Sequence, residues 1–381
     1  MELNKEENVN QGRQYLNGSA FHDKAAAALP KRLTDVMFGF CASQTLFAAC
    51  ELGIFDALDG SSLSAKALSQ QLSINEDATC RILDALSCME LLVKHDQGIP
   101  TYSNTIMASK YLITTSPESV KCAMAFGNNV LYRLFGNLNW AVRDGDNQWQ
   151  RSFNKSSATD FFKEVCATKE SCIQCMEAMR GTCRPAAMVV VTAFDLASSY
   201  HNMCDLGVTL LFFDSGCTGD IAYAACTAYP DMKITVLDLP QVVKCSSHFT
   251  PTLDECPNQQ NVSYVEGDFF EPKLPPADLY VLTHIIHDWS EEKIDILLSN
   301  VFNNLSSGGG LLIGELLLND NKTGPFVGLL GSLSMLVLCD KGARERSGSE
   351  YKQLLEKHGF VHVQYKTTGS VFMDAILCKK P

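Results

Sequence analysis

Beyond Phe194 the chain changes period, and that change leaves very few folds open to it. Short apolar runs at Lys233 to Leu239, Ala277 to Ile286, Gly309 to Leu318, Val361 to Tyr365 and Phe372 to Cys378 alternate with amphipathic stretches. Strands that are apolar on both faces and separated by helices predict a parallel sheet covered on both sides, the doubly wound α/β arrangement. Ser290 to Leu305 reads as one covering helix, with Ser290 as N-cap and Glu291 and Glu292 in the first turn. Ser349 to His358 reads as another, closed by Gly359. Residues 110 to 190 are mostly helical in pattern, with loops around Arg143 to Gln148 and Asn154 to Thr159.

The first half has a different organisation. Residues 1–30 are polar, then alanine-rich, and read as a tail. From Leu33 the pattern is helical, but Phe38, Phe40, Leu46, Phe47, Leu52 and Phe55 are too many for one core-facing stripe, which predicts a central helix or an oligomer surface. Ser64 to Leu72, a turn at Ile74-Asn75 and Glu76 to Met89 make a helix-turn-helix, followed by a hairpin wing around Asp96 to Gly98. DNA recognition does not fit it. The second helix region carries Glu76, Asp77, Asp84 and Glu90 against Arg81, and the net charge of the whole chain is −12. The expected boundaries are a tail at 1–30, an N-terminal domain at 31–140 and the α/β domain at 141–381.

Neither a secretory signal nor a membrane span is expected, since stretches such as Ala186 to Phe194 and Leu333 to Cys339 are far shorter than the roughly 20 residues a span needs. With 16 cysteines scattered through a large chain, packed thiols in a cytoplasmic protein are the expectation. Cys172 and Cys175 form a C-x-x-C pair with Cys166 and Cys183 nearby, but the irregular spacing and the lack of a second pair disfavour a metal.

In a doubly wound sheet the ligand lies beyond the carboxyl ends of the strands. Gly216-Cys217-Thr218-Gly219 is a glycine-rich turn in such a place, and Asp238 follows Gly219 by 19 residues, the spacing of a ribose-binding carboxylate. Gly267, Asp268 and Phe269 end a further strand and could hold an adenine. No G-x-G-x-x-G is present, and Asp220 would face the phosphates, so a nicotinamide dinucleotide is disfavoured and S-adenosylmethionine, cationic at sulfur, is left. His287 follows a buried strand and is suited to take a proton from an attacking hydroxyl, with Glu315 and Glu345 placed to orient it. The alternative is a histidine satisfied by local hydrogen bonds.

His-Asp-Trp at 287–289, V-x-D-L-P around Asp238, Glu-Gly-Asp-Phe-Phe at 266–270 and the run from Leu46 to Asp56 together resemble the hydroxyindole O-methyltransferases, from about residue 33 to 379. The resemblance implies a winged-helix dimerisation domain, a Rossmann-like class I methyltransferase domain and a homodimer. It implies S-adenosylmethionine as cofactor, an aromatic hydroxyl as acceptor (N-acetylserotonin first, giving melatonin), His287 as base with Glu315 and Glu345 beside it, and Asp288 at the substrate. The cofactor would meet Asp205, Gly207, Gly216, Gly219, Asp238, Gly267, Asp268, Phe269 and His284.

There are departures from the family pattern. Its D-L-G-G-x-T-G is split here by Val208 to Ser215, so that Asn202 to Leu206 and Thr209 to Asp214 compete as the first strand. A family arginine is His284, an aromatic residue is Cys166 and a tryptophan is Cys183. Two amides expected at the substrate are Ser334 and Leu338. The insertion motivates an alternative, a catalytically impaired paralogue serving as a dimer partner. A nicotinamide oxidoreductase is a third reading.

Overall fold

In a computed structural model, residues 29–96, 98–207 and 218–381 are described. The glycine-loop residues Val208 to Cys217, with the insertion and Gly216, lie outside them, as does the tail up to Ala28. The chain divides into two compact units, one ending at Ser43 and one running from Gln44 to Pro381. In the first, the helix Lys31–Met37 buries none of its residues, and Leu33, Val36, Met37, Phe38 and Phe40 are exposed.

The predicted helix-turn-helix lies in the second unit. Ser64 caps Ala65–Leu72 and Asn75 caps Glu76–Cys88, each side chain accepting a backbone N–H. Strand β1 (Leu63–Ser64) pairs with β3 (Thr101–Asn104), which also pairs with β2 (Leu92–His95), all antiparallel. Asp84 explains one acid on the second helix, because it accepts from Tyr102 Oη and Lys94 Nζ, both at 2.8 Å, and ties the helix to the hairpin. Ile54, Phe55, Leu68, Leu83, Leu86 and Tyr102 are buried together beneath.

Seven strands form the main sheet: β4 (Asn202–Leu206), β5 (Lys233–Asp238), β6 (Val262–Glu266), β7 (Leu279–Thr283), β8 (Gly310–Glu315), β9 (Val361–Lys366) and β10 (Asp374–Lys379). Their spatial order is β6-β5-β4-β7-β8-β10-β9. The first five are parallel, but β10 runs antiparallel to both β8 and β9, which corrects the all-parallel expectation. The seven residues between β9 and β10 are too few for the crossover that a parallel pair requires, and a hairpin is what they can make. Asn202–Leu206 occupies the central slot between β5 and β7, so the first of the two competing registers is the one in the sheet.

Two apolar cores flank the sheet. One contains Leu206, Tyr280, Leu282, Leu311 and Ile313, the other Met203, Val236, Leu279, Val281 and Leu312, so successive residues of each strand point to opposite cores. The helices Asp220–Ala228, Glu291–Asn304 and Gly348–Lys357 supply crossovers. The last is one residue earlier than expected at its start, because Ser347 caps it in a capping box with Glu350. Among the described residues no single helix is long and apolar enough to cross a membrane.

Candidate functional site

Because β4, β5, β7 and β8 are parallel, their carboxyl ends meet at one edge, and each delivers a polar residue there: Asp205, Asp238, the Thr283–Trp289 segment and Glu315. His287 sits in a short 3-10 turn after β7 and is 2% exposed. Its Nδ1 is 2.9 Å from Glu345 Oε1 and 3.1 Å from Glu315 Oε2. Asp288 Oδ1 stands 3.6 Å from Nε2, beyond hydrogen-bond length. Two carboxylates on Nδ1 fix the imidazole with Nδ1 as donor, which leaves Nε2 as the atom able to accept a proton.

The electrostatics are severe. Burial alone would lower the His287 pKa, but Glu315, Glu345 and Asp288 together raise it to about 10. Burial pushes Glu315 up to about 7 against the pull of His287, and Asp288 up to about 6. Glu315 does a second task. Its Oε1 accepts from the backbone N–H of Ile285, Ile286 and His287 at 3.1, 2.9 and 3.4 Å, holding the turn that carries the histidine.

The loop following the Phe326–Leu338 helix closes over this turn through Asp340 N–H to Asp288 O and Arg344 N–H to His287 O. Two residues there had no sequence signal. Cys339 Sγ donates to Asp288 Oδ1 at 3.1 Å, and Arg346, 2% exposed, donates to Ile286 O and Glu291 Oε1. Only the fold brings these residues next to the histidine.

Among the expected cofactor residues, Asp238 is 1% exposed; its Oδ1 accepts from Leu239 N–H, while its Oδ2 has no hydrogen-bond partner among the described residues. Burial raises its pKa well above the usual carboxylate range, and does the same to Asp205, to about 7. A buried, half-satisfied carboxylate at a strand end is what a ribose hydroxyl would complete. Gly219 has φ +73, and a Cβ there would lie 2.2 Å from Tyr264 Oη. Gly207 N–H bonds Leu237 O and Gly267 N–H bonds Asp238 O, continuing the ladder beyond β4 and β6. Asp268 Oδ1 accepts from Phe270 N–H. Phe269 is fully buried in the core, so what it can offer a ligand is its backbone. His284, at φ +55, packs against His287 with ring centroids 5.4 Å apart, and burial together with His287 lowers its pKa to about 3.

On the acceptor side, Ser334 Oγ donates to Leu330 O, and Leu338 is 1% exposed in the core, its carbonyl bonded by Trp149 Nε1 at 2.6 Å. An aromatic-lined cavity of about 600 Å³ opens between Phe126, Phe153, Phe161, Phe162 and Met179. The cysteine group divides. Cys166, Cys172 and Cys175 gather with Cys245 in hydrogen-bonded thiol contacts, whereas Cys183 packs in the core on the other face of the sheet. Cys183 therefore stands apart from Cys166, Cys172 and Cys175.

Both halves of the chain resemble known proteins. The O-methyltransferase domain family matches residues 135–361 and the O-methyltransferase dimerisation domain family residues 34–114. Acetylserotonin O-methyltransferase of Macaca mulatta is 37% identical over 91% of this chain and 97% of its own. A human probable bifunctional dTTP/UTP pyrophosphatase/methyltransferase protein is 37% identical over 92% of this chain, which spans only 54% of that protein. The solved human N-acetylserotonin methyltransferase in complex with SAM superposes with a TM-score of 0.83 at 35% identity, covering 94% of this chain and 99% of that one. None of this lends support to the reading of an impaired dimer partner.

Proposed function

The chain belongs to the O-methyltransferase family, and from that membership we propose that it moves a methyl group from S-adenosylmethionine to an aromatic hydroxyl, N-acetylserotonin first, to give melatonin. The observation that carries the reading is His287, pinned at Nδ1 by Glu345 and Glu315 with Nε2 turned to accept. When bound, S-adenosylmethionine supplies an electrophilic methyl on a sulfonium cation, whose charge also disfavours a second cation at His287.

His287 Nε2 takes the phenolic proton as the oxygen attacks, and the imidazolium so formed is stabilised by the two carboxylates already on Nδ1. A phenol has a pKa of about 10, and the carboxylates raise that of His287 above its ordinary value, which makes the imidazole a stronger base for this transfer. Asp288, held by Cys339, borders the acceptor. Asp205, Gly207, Gly216, Gly219, Asp238, Gly267, Asp268, Phe269 and His284 would hold the cofactor, with the spare Asp238 oxygen on the ribose. Ser334, spent on Leu330 O, and Leu338, buried in the core, offer an acceptor little polar grip.

We read residues 31–140 as the dimerisation domain, winged-helix in type, and 141–381 as the catalytic domain of a homodimer. The match at 34–114 and the exposed Leu33, Val36, Phe38 and Phe40 support that reading. Calorimetric titration of S-adenosylmethionine into the full chain, followed by assay of N-acetylserotonin and simpler phenols, tests the proposal. Saturable binding with methylated product is expected. A folded dimer that evolves no heat would refute it.

A further inference from the structure

The segment that carries His287 brings a second histidine to the same place. The backbone takes φ +55 at His284, and the two rings lie 5.4 Å apart, tilted by 33°. An imidazole nitrogen of each and a carboxylate oxygen of Glu315 lie within 4.8 Å of one another. His284, His287 and Glu315 are 5%, 2% and 0% exposed. Two imidazoles and a carboxylate form a donor set that borderline divalent metals accept.

The distances suit such an ion. Zinc holds N and O ligands at about 2.0–2.2 Å, which puts neighbouring donors of a tetrahedron roughly 3.3 Å apart. Around His287 Nδ1, Glu315 Oε2 at 3.1 Å and Glu345 Oε1 at 2.9 Å already stand near that spacing. The His284 nitrogen, within 4.8 Å of the His287 and Glu315 donors, closes on the ion when it binds. Charge favours a cation too, for Glu345 Oε2 and Asp288 Oδ2 are enclosed and have no hydrogen-bond partner among the described residues.

We infer that this chain binds a divalent transition-metal ion of the zinc type through His284, His287 and Glu315, seated at His287 Nδ1, and that the ion acts as a reversible brake on the enzyme. A neutral imidazole metallated at Nδ1 carries its one N–H on Nε2, so Nε2 becomes a donor and cannot take the acceptor's proton. Removal of the ion restores the acceptor lone pair. The brake rests on the reading of His287 as base, whereas the binding itself can be measured without turnover.

Cobalt(II) titrated into the reduced, full-length protein reads the site by its visible absorption. One ion per chain is expected, with the weak bands of nitrogen and oxygen ligands and no intense near-ultraviolet thiolate band. The spectrum should vanish in His284→Arg and in His284→Asn, the latter chosen because asparagine tolerates a positive φ, and should persist in Cys172→Ser. Both His284 variants are checked for fold by circular dichroism. Saturation of the wild type with zinc should lower methyl transfer about 10²–10⁴-fold, the span of a lost general base, and a chelator should restore it. No uptake, a thiolate band, or a spectrum that survives both His284 variants would overturn the site and leave the methyl-transfer reading standing. Uptake without inhibition would overturn the brake, and the assignment of the base with it.

Discussion

Replacing His287 by alanine separates chemistry, binding and stability in a single variant. The structure gives this side chain two jobs in its two protonation states: when neutral it offers Nε2 to the acceptor's proton, and when protonated it is a cation among Asp288, Glu315 and Glu345, all at most 5% exposed. Loss of the first should lower the rate of methyl transfer about 10²–10⁴-fold, equivalent to about 3–5 kcal/mol at 1.36 kcal/mol per decade. Cofactor affinity should change little, because Asp205 and Asp238 stand on other strands. Loss of the second leaves buried carboxylates without their cation, which costs about 3–5 kcal/mol while they stay ionised.

The sign of the pH effect follows from the shifts. In the wild type, His287 is raised from 6.5 to about 10, so its contribution is complete below its unfolded value and is lost as pH rises through about 10. In the variant, Glu315, already near 7 with the cation present, moves higher. An acid raised in the folded state binds more protons there than in the unfolded chain, so stability falls as pH rises from its ordinary value to the raised one. The melting temperature of the variant should therefore itself fall between about pH 5.5 and about pH 8. Single-turnover methyl transfer, calorimetry and thermal scans at the two pH values supply the three readouts. Turnover within tenfold of the wild type would remove His287 from the chemistry, and a variant whose melting temperature does not fall over that range would refute the account of the carboxylates.

Three further outcomes are expected. Asp238→Asn should weaken S-adenosylmethionine binding by at least about tenfold, the 1.4 kcal/mol of one charge-assisted hydrogen bond. Since burial raises the Asp238 pKa, wild-type affinity should fall as pH drops towards the acid range, and calorimetry on the asparagine variant should find that dependence gone. Gly219→Ala should destabilise the chain and weaken the cofactor, because its Cβ would meet Tyr264 Oη at 2.2 Å. Adding Tyr264→Phe should restore part of the loss in a double-mutant cycle, though not the strain of φ +73. Trp149→Phe leaves the buried Leu338 carbonyl without its 2.6 Å donor and should cost about 1–3 kcal/mol in chemical denaturation.

Much of the architecture was legible in the chain because it is written locally. Ser64, Asn75 and Ser290 cap their helices through their own side chains, and the apolar runs of β5, β7 and β8 could fill only a sheet buried on both faces. The family motifs pointed to His287, Glu315 and Asp238 because Glu315 and Asp238 end strands and His287 follows one in a short turn, and parallel strands deliver their ends to one edge. Contacts between distant segments were not legible. Asn202 to Leu206 and Thr209 to Asp214 both read as a first strand, and the pairing of Met203 with Ile234 and Leu279 is what gave the slot to Asn202–Leu206. The antiparallel β10, the Cys339 thiol on Asp288, the buried Arg346 and the close approach of His284 to Glu315 belong to the same class. Periodicity and capping depend on neighbours a few residues apart, so the sequence by itself determined which segments are helices and strands and which ends carry chemistry. The charge state of that chemistry depends on which groups burial forces together across some sixty residues of chain, from His287 to Glu345, and that was decided by the tertiary structure alone.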